Sequence, residues 1–200
     1  MTIAKESAMA VDLAYDNKQF DGRAILTTIQ QGFGFFTMSH ANTFHIDLRG
    51  TRDHSDLKTD VTWTKTPFLS GEAHKGFVDR VEQIKPEILR VYEQLPIGAD
   101  ITISGHSEGA SMALLLAAII KPTRLILFAC PNTIDVALRD EILEMGFDIQ
   151  HYAGKYDLIP DCPIGLHQVV KPAVLFFKHV NRFDELGQHS IKNIASALPG

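Results

Sequence analysis

The amino-acid sequence predicts an α/β fold with a mostly parallel central sheet and helices on both of its faces. The first observation is a segment at 101–104 that is typical of a short buried strand, followed by a turn at 105–109 and an apolar helix to about residue 120. The second is a nearly continuous apolar strand at 124–129. A strand–helix–strand unit with apolar strands is typical of a parallel sheet that is covered on both faces.

Size and composition agree with this fold class. The 200 residues are expected to form a single domain, 1–200, that buries about 70% of its unfolded-chain surface. Hydrophobic residues make up 45% of the chain and charged residues 22%, which is an ordinary globular composition. A net charge of -5 and a pI near 6.0 predict no nucleic-acid partner. They also disfavour adsorption to an acidic membrane surface but are compatible with a neutral lipid substrate.

Residue types that hold metals and cofactors show no suggestive spacing. Cys130 and Cys162 form no disulfide framework and are expected to be buried thiols. Four histidines show neither helical nor short-range ligand pairing: His40, His45, His54 and His151. The sequence therefore predicts neither a metal site nor a cofactor.

The N-terminal segment predicts a cytoplasmic location. It lacks the continuous apolar core and cleavage site of a signal peptide. No apolar run approaches the length of a transmembrane helix, so no stable membrane insertion is expected. Export by another route stays open.

Before the central unit, apolar spacing predicts a helix at 3–15 and strands at 23–29 and 43–48. The aromatic run at 32–36 fits either a β-hairpin or an exposed apolar loop. Core packing is favoured over a pocket wall for its side chains. Apolar residues at spacings of three and four predict a long helix at 77–95, with a kink or break at Pro86.

After the central unit, the sequence predicts a helix at 135–145, a strand at 148–153, a last strand at 173–179 and a closing helix at 190–198. In an open α/β sheet, reactive groups collect at the carboxyl ends of the strands. Residues just beyond the strand ends are therefore the candidates for a functional site.

The turn at 105–109 has the form Gly-x-Ser-x-Gly, with Ser107 at its apex and His106 before it. A nucleophile between strand and helix adopts a strained conformation that leaves no room for side chains two residues away. Gly105 and Gly109 supply that room. The start of the following helix offers N–H groups and a positive dipole end, which suit an oxyanion.

Two further residues complete a candidate triad. Asp157 follows the strand at 148–153, and His189 lies on a loop before the closing helix. The chain order Ser, Asp, His is the one that α/β-hydrolases use. His189 is preferred over His179, which ends the last predicted strand, and over His167, which precedes it.

The proposed chemistry is nucleophilic catalysis by Ser107, with His189 taking its proton and Asp157 holding the imidazole tautomer. The first oxyanion donor is the backbone N–H of Glu108. The second is expected from Gly50-Thr51, directly after the strand at 43–48.

Several motifs together resemble the class 3 lipases, which include fungal triacylglycerol lipases and related esterases. They are, in family order, Arg49-Gly50-Thr51, Ala73-His74-Lys75-Gly76-Phe77, Ile103 to Ala110, Asp157 to Pro160 and His189. The resemblance implies an α/β-hydrolase fold, a triad of Ser107, Asp157 and His189, and an oxyanion hole from Thr51 and Glu108. In the family, the residue that matches Thr51 donates through both its backbone and its hydroxyl. His74 is interpreted as a structural hydrogen-bonding residue near the site.

The chain also departs from the family. Glu108 replaces a usually apolar residue, and we expect its carboxylate to point away from the oxyanion, toward Arg49 or Lys75. The segment 52–60, where the lipases carry an amphipathic lid, is mostly charged and would gain little from an oil interface. Esters of soluble or short-chain acids, or single lipid molecules, are therefore expected as substrates. The short chain predicts a minimal cap.

Alternatives stay open at this point. A phospholipase, thioesterase or peptidase would use the same triad on a different bond. An α/β-hydrolase scaffold that binds without turnover is the second alternative. The sequence leaves the oligomeric state undetermined.

Overall fold

The structure is a computed structural model that describes residues 1–18, 20–40, 42–51, 64–177 and 180–200. Its strands are β1 (Ala24–Ile29), β2 (Gly34–His40), β3 (Thr43–Leu48), β4 (Lys65–Phe68), β5 (Gly71–His74), β6 (Asp100–His106), β7 (Arg124–Phe128), β8 (Asp148–Gly154) and β9 (Ala173–Leu175). Its helices are α1 (Ile3–Tyr15), α2 (Lys75–Tyr92), α3 (Glu108–Ile120), α4 (Val136–Glu144), α5 (Glu185–Gln188) and α6 (Ile191–Ala197). None of these described helices is long and apolar enough to cross a membrane.

In the part of the chain that the structure describes, the central sheet has seven strands in the order β1-β2-β3-β6-β7-β8-β9. Strands β1, β2 and β3 pair antiparallel, and the pairs from β3 through β9 are parallel. A separate hairpin consists of β4 and β5. The predicted α/β class with a mostly parallel sheet is therefore confirmed.

Strand β7 shows that both faces of the sheet are covered. Leu125 and Leu127 join the core cluster that includes apolar residues of α2, α3 and α4. Ile126 and Phe128 join a second cluster with apolar residues of α1 and α6. Because successive strand residues point to opposite faces, the apolar run at 125–128 of β7 requires helices on both sides.

The sequence predicted a kink or a break at Pro86, and the break is absent, since α2 runs through Pro86 over its full 18 residues. The apolar face of α2 is buried at Val81, Ile84, Ile88 and Val91, and this packing offsets the roughly 3 kcal/mol that an interior proline costs. Pro86 itself is exposed. Because proline has no N–H, the carbonyl group four residues before Pro86 lacks its helical donor. That carbonyl lies on the same exposed face of α2 and can accept a hydrogen bond from water.

The aromatic run forms a hairpin strand instead of an exposed loop. A 3₁₀ turn at Gln30–Gly32 leads into β2, which pairs with β1 on one side and β3 on the other. Phe33, Phe35 and Phe36 are all buried. These side chains therefore pack in the interior, which the sequence analysis favoured over a pocket wall.

The last strand is shorter than predicted, because β9 contains only Ala173–Leu175 instead of residues 173–179. Strand β9 is the edge of the sheet, where half of the hydrogen-bonding groups lack a neighbouring strand. Phe176 then projects into solvent and Phe177 returns to the core.

The hairpin β4–β5 was not predicted, since its strands have four residues each.

A buried charge network lies under the antiparallel half of the sheet. Arg23 Nη1 donates to Asp47 Oδ2 at 2.6 Å and Arg23 Nη2 to Glu6 Oε1 at 2.9 Å. Ser104 Oγ donates to Asp47 Oδ1 at 2.7 Å. Burial raises the pKa of Asp47, and the Arg23 guanidinium opposes that shift. The buried charges of Arg23 and Asp47 are thus paired and hydrogen-bonded, which offsets the cost of removing them from water.

Candidate active site

Ser107 lies between β6 and α3 in a backbone conformation that residues other than glycine rarely adopt, with φ 58° and ψ -125°. Its N–H donates to the carbonyl oxygen of Phe128 on β7 at 3.0 Å. Such a conformation costs of the order of 1–3 kcal/mol and persists only where the surroundings enforce it. The turn has the geometry of a nucleophile elbow, which presents the side chain clear of the strand.

The two glycines of the motif allow the elbow to close. A Cβ atom at Gly105 would stand 2.2 Å from the carbonyl oxygen of Gly109. A Cβ atom at Gly109 would stand 2.5 Å from the carbonyl oxygens of Leu48 and Arg49. Strand β6, helix α3 and the end of β3 therefore approach one another as only glycines permit.

Asp157 and His189 form a buried pair. His189 Nδ1 lies 2.8 Å from Asp157 Oδ2, and the other carboxylate oxygen of Asp157 accepts the N–H of Ile159 at 3.0 Å. A carboxylate accepts hydrogen bonds, so Nδ1 carries the proton that is donated to it. In the neutral imidazole, this leaves Nε2 as the acceptor, which is the tautomer a general base needs.

Gly154, at the end of β8, allows the loop of His189 to reach Asp157. A Cβ atom at Gly154 would stand 2.4 Å from the carbonyl oxygen of Gln188 and 2.8 Å from the ring of Phe177. The end of β8 and the residue before His189 are therefore in direct contact. This close approach brings His189 and Asp157, which lie on separate loops, within hydrogen-bonding distance of each other.

His106 connects the histidine loop to the elbow. Its ring lies 4.7 Å from the ring of His189, and its Nε2 is 2.7 Å from the carbonyl oxygen of His189. Ser107 Oγ is buried and has no hydrogen-bond partner among the described residues, so the bond from nucleophile to base is not made in this structure. Such bonds are often long in the absence of substrate and tighten when it binds.

Tyr15, at the end of α1, joins the same network and was not singled out from the sequence. Its hydroxyl lies 2.7 Å from His106 Nδ1 and accepts the N–H of Gly50 at 2.9 Å. The phenol thus donates to Nδ1, and the proton on Nε2 of His106 is donated to His189. Burial raises the pKa of Tyr15 above its ordinary value, so the phenol stays protonated.

The loop after β3 lies against the nucleophile. A Cβ atom at Gly50 would stand 3.1 Å from Ser107 Cβ and 2.8 Å from the carbonyl oxygen of His106. The buried Arg49 side chain holds this loop, since Nη1 donates to the carbonyl oxygen of Gly50 at 2.9 Å and Nε donates to that of Gly32. Thr51 therefore follows directly on the segment packed against Ser107.

The Glu108 carboxylate has a cation partner, but the predicted one is wrong. Arg80 on α2 places Nε 3.4 Å from Glu108 Oε1, whereas Lys75 pairs with Asp79. Arg49 donates instead to the carbonyl oxygens of Gly50, in its own loop, and of Gly32, in the turn before β2. The other carboxylate oxygen, Oε2, accepts the hydroxyl of Thr51. The side chain of Glu108, which departs from the family pattern, is thus hydrogen-bonded to Thr51, the other predicted oxyanion residue.

The remaining predicted residues have separate positions. His74 is buried at the N-terminus of α2, with its ring 4.4 Å from that of Phe77 and its backbone N–H donating to Thr133. His167 pairs through its backbone with Ile134, and its side chain is exposed.

The cysteines divide between core and surface. Cys130 is buried as expected, and burial raises the pKa of its thiol to about 12. Cys162 is exposed, so the prediction of a second buried thiol was wrong. The charged segment 52–60, the chain's single tryptophan, Trp63, and the alternative base His179 lie outside the described residues.

Comparison with solved structures shows that the chain has the α/β-hydrolase fold. The lipase of Rhizopus microsporus var. chinensis superposes with a TM-score of 0.72 at 18% identity, over 90% of this chain and 77% of that one. Lip2 lipase of Yarrowia lipolytica gives 0.71 at 17% identity, over 87% and 79%. A further match, 0.69 at 16% identity over 87% and 78%, is a triacylglycerol lipase whose catalytic centre is formed by a serine protease triad.

The family follows from the sequence itself. The class 3 lipase family profile matches residues 45–166, which is more than half of the chain. The chain belongs to the class 3 lipase family, and it is a carboxylic ester hydrolase of that family.

Proposed function

We propose that this chain hydrolyses lipid or small-molecule carboxylic esters through a covalent acyl-enzyme at Ser107. The observation that carries the proposal is the buried hydrogen bond of 2.8 Å between His189 Nδ1 and Asp157 Oδ2, on a loop that His106 holds beside the nucleophile elbow. A triad is recognised by geometry and role. A neutral imidazole with its acceptor nitrogen available is what a poor nucleophile such as serine requires.

The reaction takes two steps. Ser107 Oγ attacks the ester carbonyl while His189 Nε2 takes its proton, and the same imidazolium then protonates the departing alcohol. Water next attacks the acyl-enzyme, again giving its proton to His189, and Ser107 leaves with that proton restored. Asp157 stabilises the imidazolium in both steps.

The oxyanion of each tetrahedral intermediate needs donors that are in place before it forms. The backbone N–H of Glu108, at the start of α3, and that of Thr51, on the loop packed against Ser107, are the two proposed donors. The N-terminal end of the α3 dipole adds favourable charge. Loss of one oxyanion donor typically costs ~10²–10³ in rate.

The substrate range is the finer part of the proposal. The charged sequence at 52–60 gives little reason for adsorption to an oil surface. We therefore assign soluble or short-chain esters, or lipid molecules taken singly, in preference to bulk triacylglycerol. No observation favours a phospholipase, a thioesterase or a purely binding scaffold.

The test is labelling by a fluorophosphonate probe in the wild type, Ser107→Ala and Ser111→Ala. Ser111 is a matched control, because it is equally buried in the first turn of α3, the helix that begins directly after Ser107, and its hydroxyl is bonded to Thr133. We expect stoichiometric labelling in the wild type and the control, and none in Ser107→Ala.

The same proteins are then assayed on p-nitrophenyl esters from acetate to palmitate. We expect kcat/KM to fall with chain length, without a jump where the substrate forms a separate phase. A jump of that kind would reassign the substrate to an oil interface. A folded wild type that detergent cannot make reactive toward the probe would leave the binding scaffold as the better reading.

A further inference from the structure

The residue after the proposed nucleophile carries a carboxylate with two partners. Glu108 Oε2 accepts the hydroxyl of Thr51, and Oε1 lies 3.4 Å from Arg80 Nε. The Glu108 side chain is only 11% exposed, whereas that of Arg80 is 42% exposed and its guanidinium lies 5.4 Å from the Phe33 ring. The carboxylate is thus held from two sides within a nearly closed space.

The hydroxyl of Thr51 has only one proton to donate. In this structure that proton is donated to Glu108, and hydrogen bonds to an ionised acceptor are roughly twice as strong as neutral ones. A hydroxyl held in this way cannot also donate to an oxyanion at Ser107. The backbone N–H of Thr51 is unaffected, because it is a different donor.

We propose that Glu108 is a positioning residue, which holds the Thr51 hydroxyl so that the oxyanion hole is built from the backbone N–H groups of Thr51 and Glu108. The inference rests on the proposed function, since it presupposes an oxyanion at Ser107. It differs from the expectation drawn from the family resemblance, in which the threonine hydroxyl is itself a donor. Glu108 acts through Thr51 and touches no reacting atom.

Arg80 makes a carboxylate tolerable at this position. An isolated negative charge beside the site would oppose the developing oxyanion, and a cation on the far side of the carboxylate counteracts that field. The bond to Thr51 keeps Oε2 directed at the hydroxyl. Both partners come from other elements, α2 and the loop after β3, so the arrangement also ties these elements to the start of α3.

The inference predicts that the effect of removing the Thr51 hydroxyl depends on Glu108. In the wild type, Thr51→Val removes an anchor and should lower kcat by less than about tenfold, against the ~10²–10³ that loss of an oxyanion donor costs. In a Glu108→Leu background, the freed hydroxyl can turn to the oxyanion. There, Thr51→Val should lower kcat by ~10² or more, with little change in KM, because the interaction exists only in the transition state.

Glu108→Gln is the conservative control. Its amide oxygen still accepts the Thr51 hydroxyl while the charge is gone, so Thr51→Val in this background should behave as in the wild type. Glu108→Ala repeats the test if Glu108→Leu does not fold. All variants are compared by circular dichroism and thermal unfolding before kinetics on p-nitrophenyl acetate.

The outcomes separate the two proposals. If the wild type is labelled at Ser107 and Thr51→Val costs the same factor in every background, the Thr51 hydroxyl is independent of Glu108 and the inference is overturned. A loss of ~10² or more for Thr51→Val in the wild type would equally overturn it, because that is the cost of a direct donor. Absence of labelling at Ser107 in the wild type would instead refute the proposed function.

Discussion

At the residue scale, the candidate site depends on side chains that are oriented by direct hydrogen bonds. The imidazole of His189 is oriented by Asp157, and that carboxylate is oriented in turn by the N–H of Ile159. Both triad partners are buried, which keeps the proton on Nδ1 from exchanging its partner for water. The orientation and the tautomer of the imidazole therefore depend on the hydrogen bond to Asp157.

Replacement of Asp157 tests that dependence. An asparagine amide can donate to Nδ1 and so stabilise the wrong tautomer, and in serine proteases this change lowers kcat by ~10⁴. We expect a comparable loss for Asp157→Asn, with normal folding, measured on p-nitrophenyl acetate. Asp161→Asn, an exposed residue on the same loop, is the control. A loss below about tenfold would remove Asp157 from the triad, since it is far short of the tautomer effect.

At the scale of elements, helix α1 has a function that its amphipathic pattern does not reveal. Its last residue, Tyr15, accepts the N–H of Gly50 and donates to His106, which bonds to the backbone of His189. One hydroxyl therefore links the loop after β3, the end of β6 and the loop of the proposed base. The helix both covers one face of the sheet and sets the distance between two loops of the site.

Tyr15→Phe separates these two contributions. Loss of the hydroxyl leaves the Gly50 N–H without its partner, which costs about 1–3 kcal/mol in free energy of unfolding. Because small displacements of catalytic groups can cost ~10² in rate, we also expect kcat to fall, by up to that factor. Tyr92→Phe, which removes a weak bond of 3.4 Å on α2, is the matched control. If kcat and KM of Tyr15→Phe matched those of the control, Tyr15 would be structural only.

At the scale of the whole molecule, burial of ionisable groups makes stability depend on pH. His45 on β3 is buried, and its pKa is lowered to about 4, first by desolvation and then by the charge of Arg23. Between its ordinary value near 6.5 and about 4, the unfolded chain binds a proton at His45 that the folded chain does not. Stability is therefore lost as the pH falls through this window.

His45→Gln should remove this contribution. From pH 7 to pH 4, the wild type should lose about 3 kcal/mol of unfolding free energy more than the variant does, since each pKa unit is worth about 1.4 kcal/mol. Urea unfolding at a series of pH values measures the difference. His167→Gln, which changes an exposed side chain, controls for the loss of a histidine as such. Parallel pH curves for wild type and His45→Gln would contradict the assignment.

Much of the fold could be predicted because its signals are local. The apolar spacing of α2, the apolar run of β7 and the glycines around Ser107 each act within a few residues along the chain. The errors were also local in origin. The break considered at Pro86 is absent because the proline lies on the exposed face of a well-packed helix, and the end of β9 depends on an edge position that no short pattern encodes.

The sequence by itself determined the α/β class, the elbow at Ser107 and the order of the candidate triad, because periodicity, glycine spacing and chain order are properties of neighbouring residues. Only the tertiary structure decided which side chains meet. Tyr15 contacts His106 across 91 positions, Thr51 binds Glu108 across 57, and His189 reaches Asp157 across 32. The partner of Glu108 was mistaken for the same reason. Arg80 comes near only because α2 packs beside α3, and contacts between separate elements depend on the packing of the whole core.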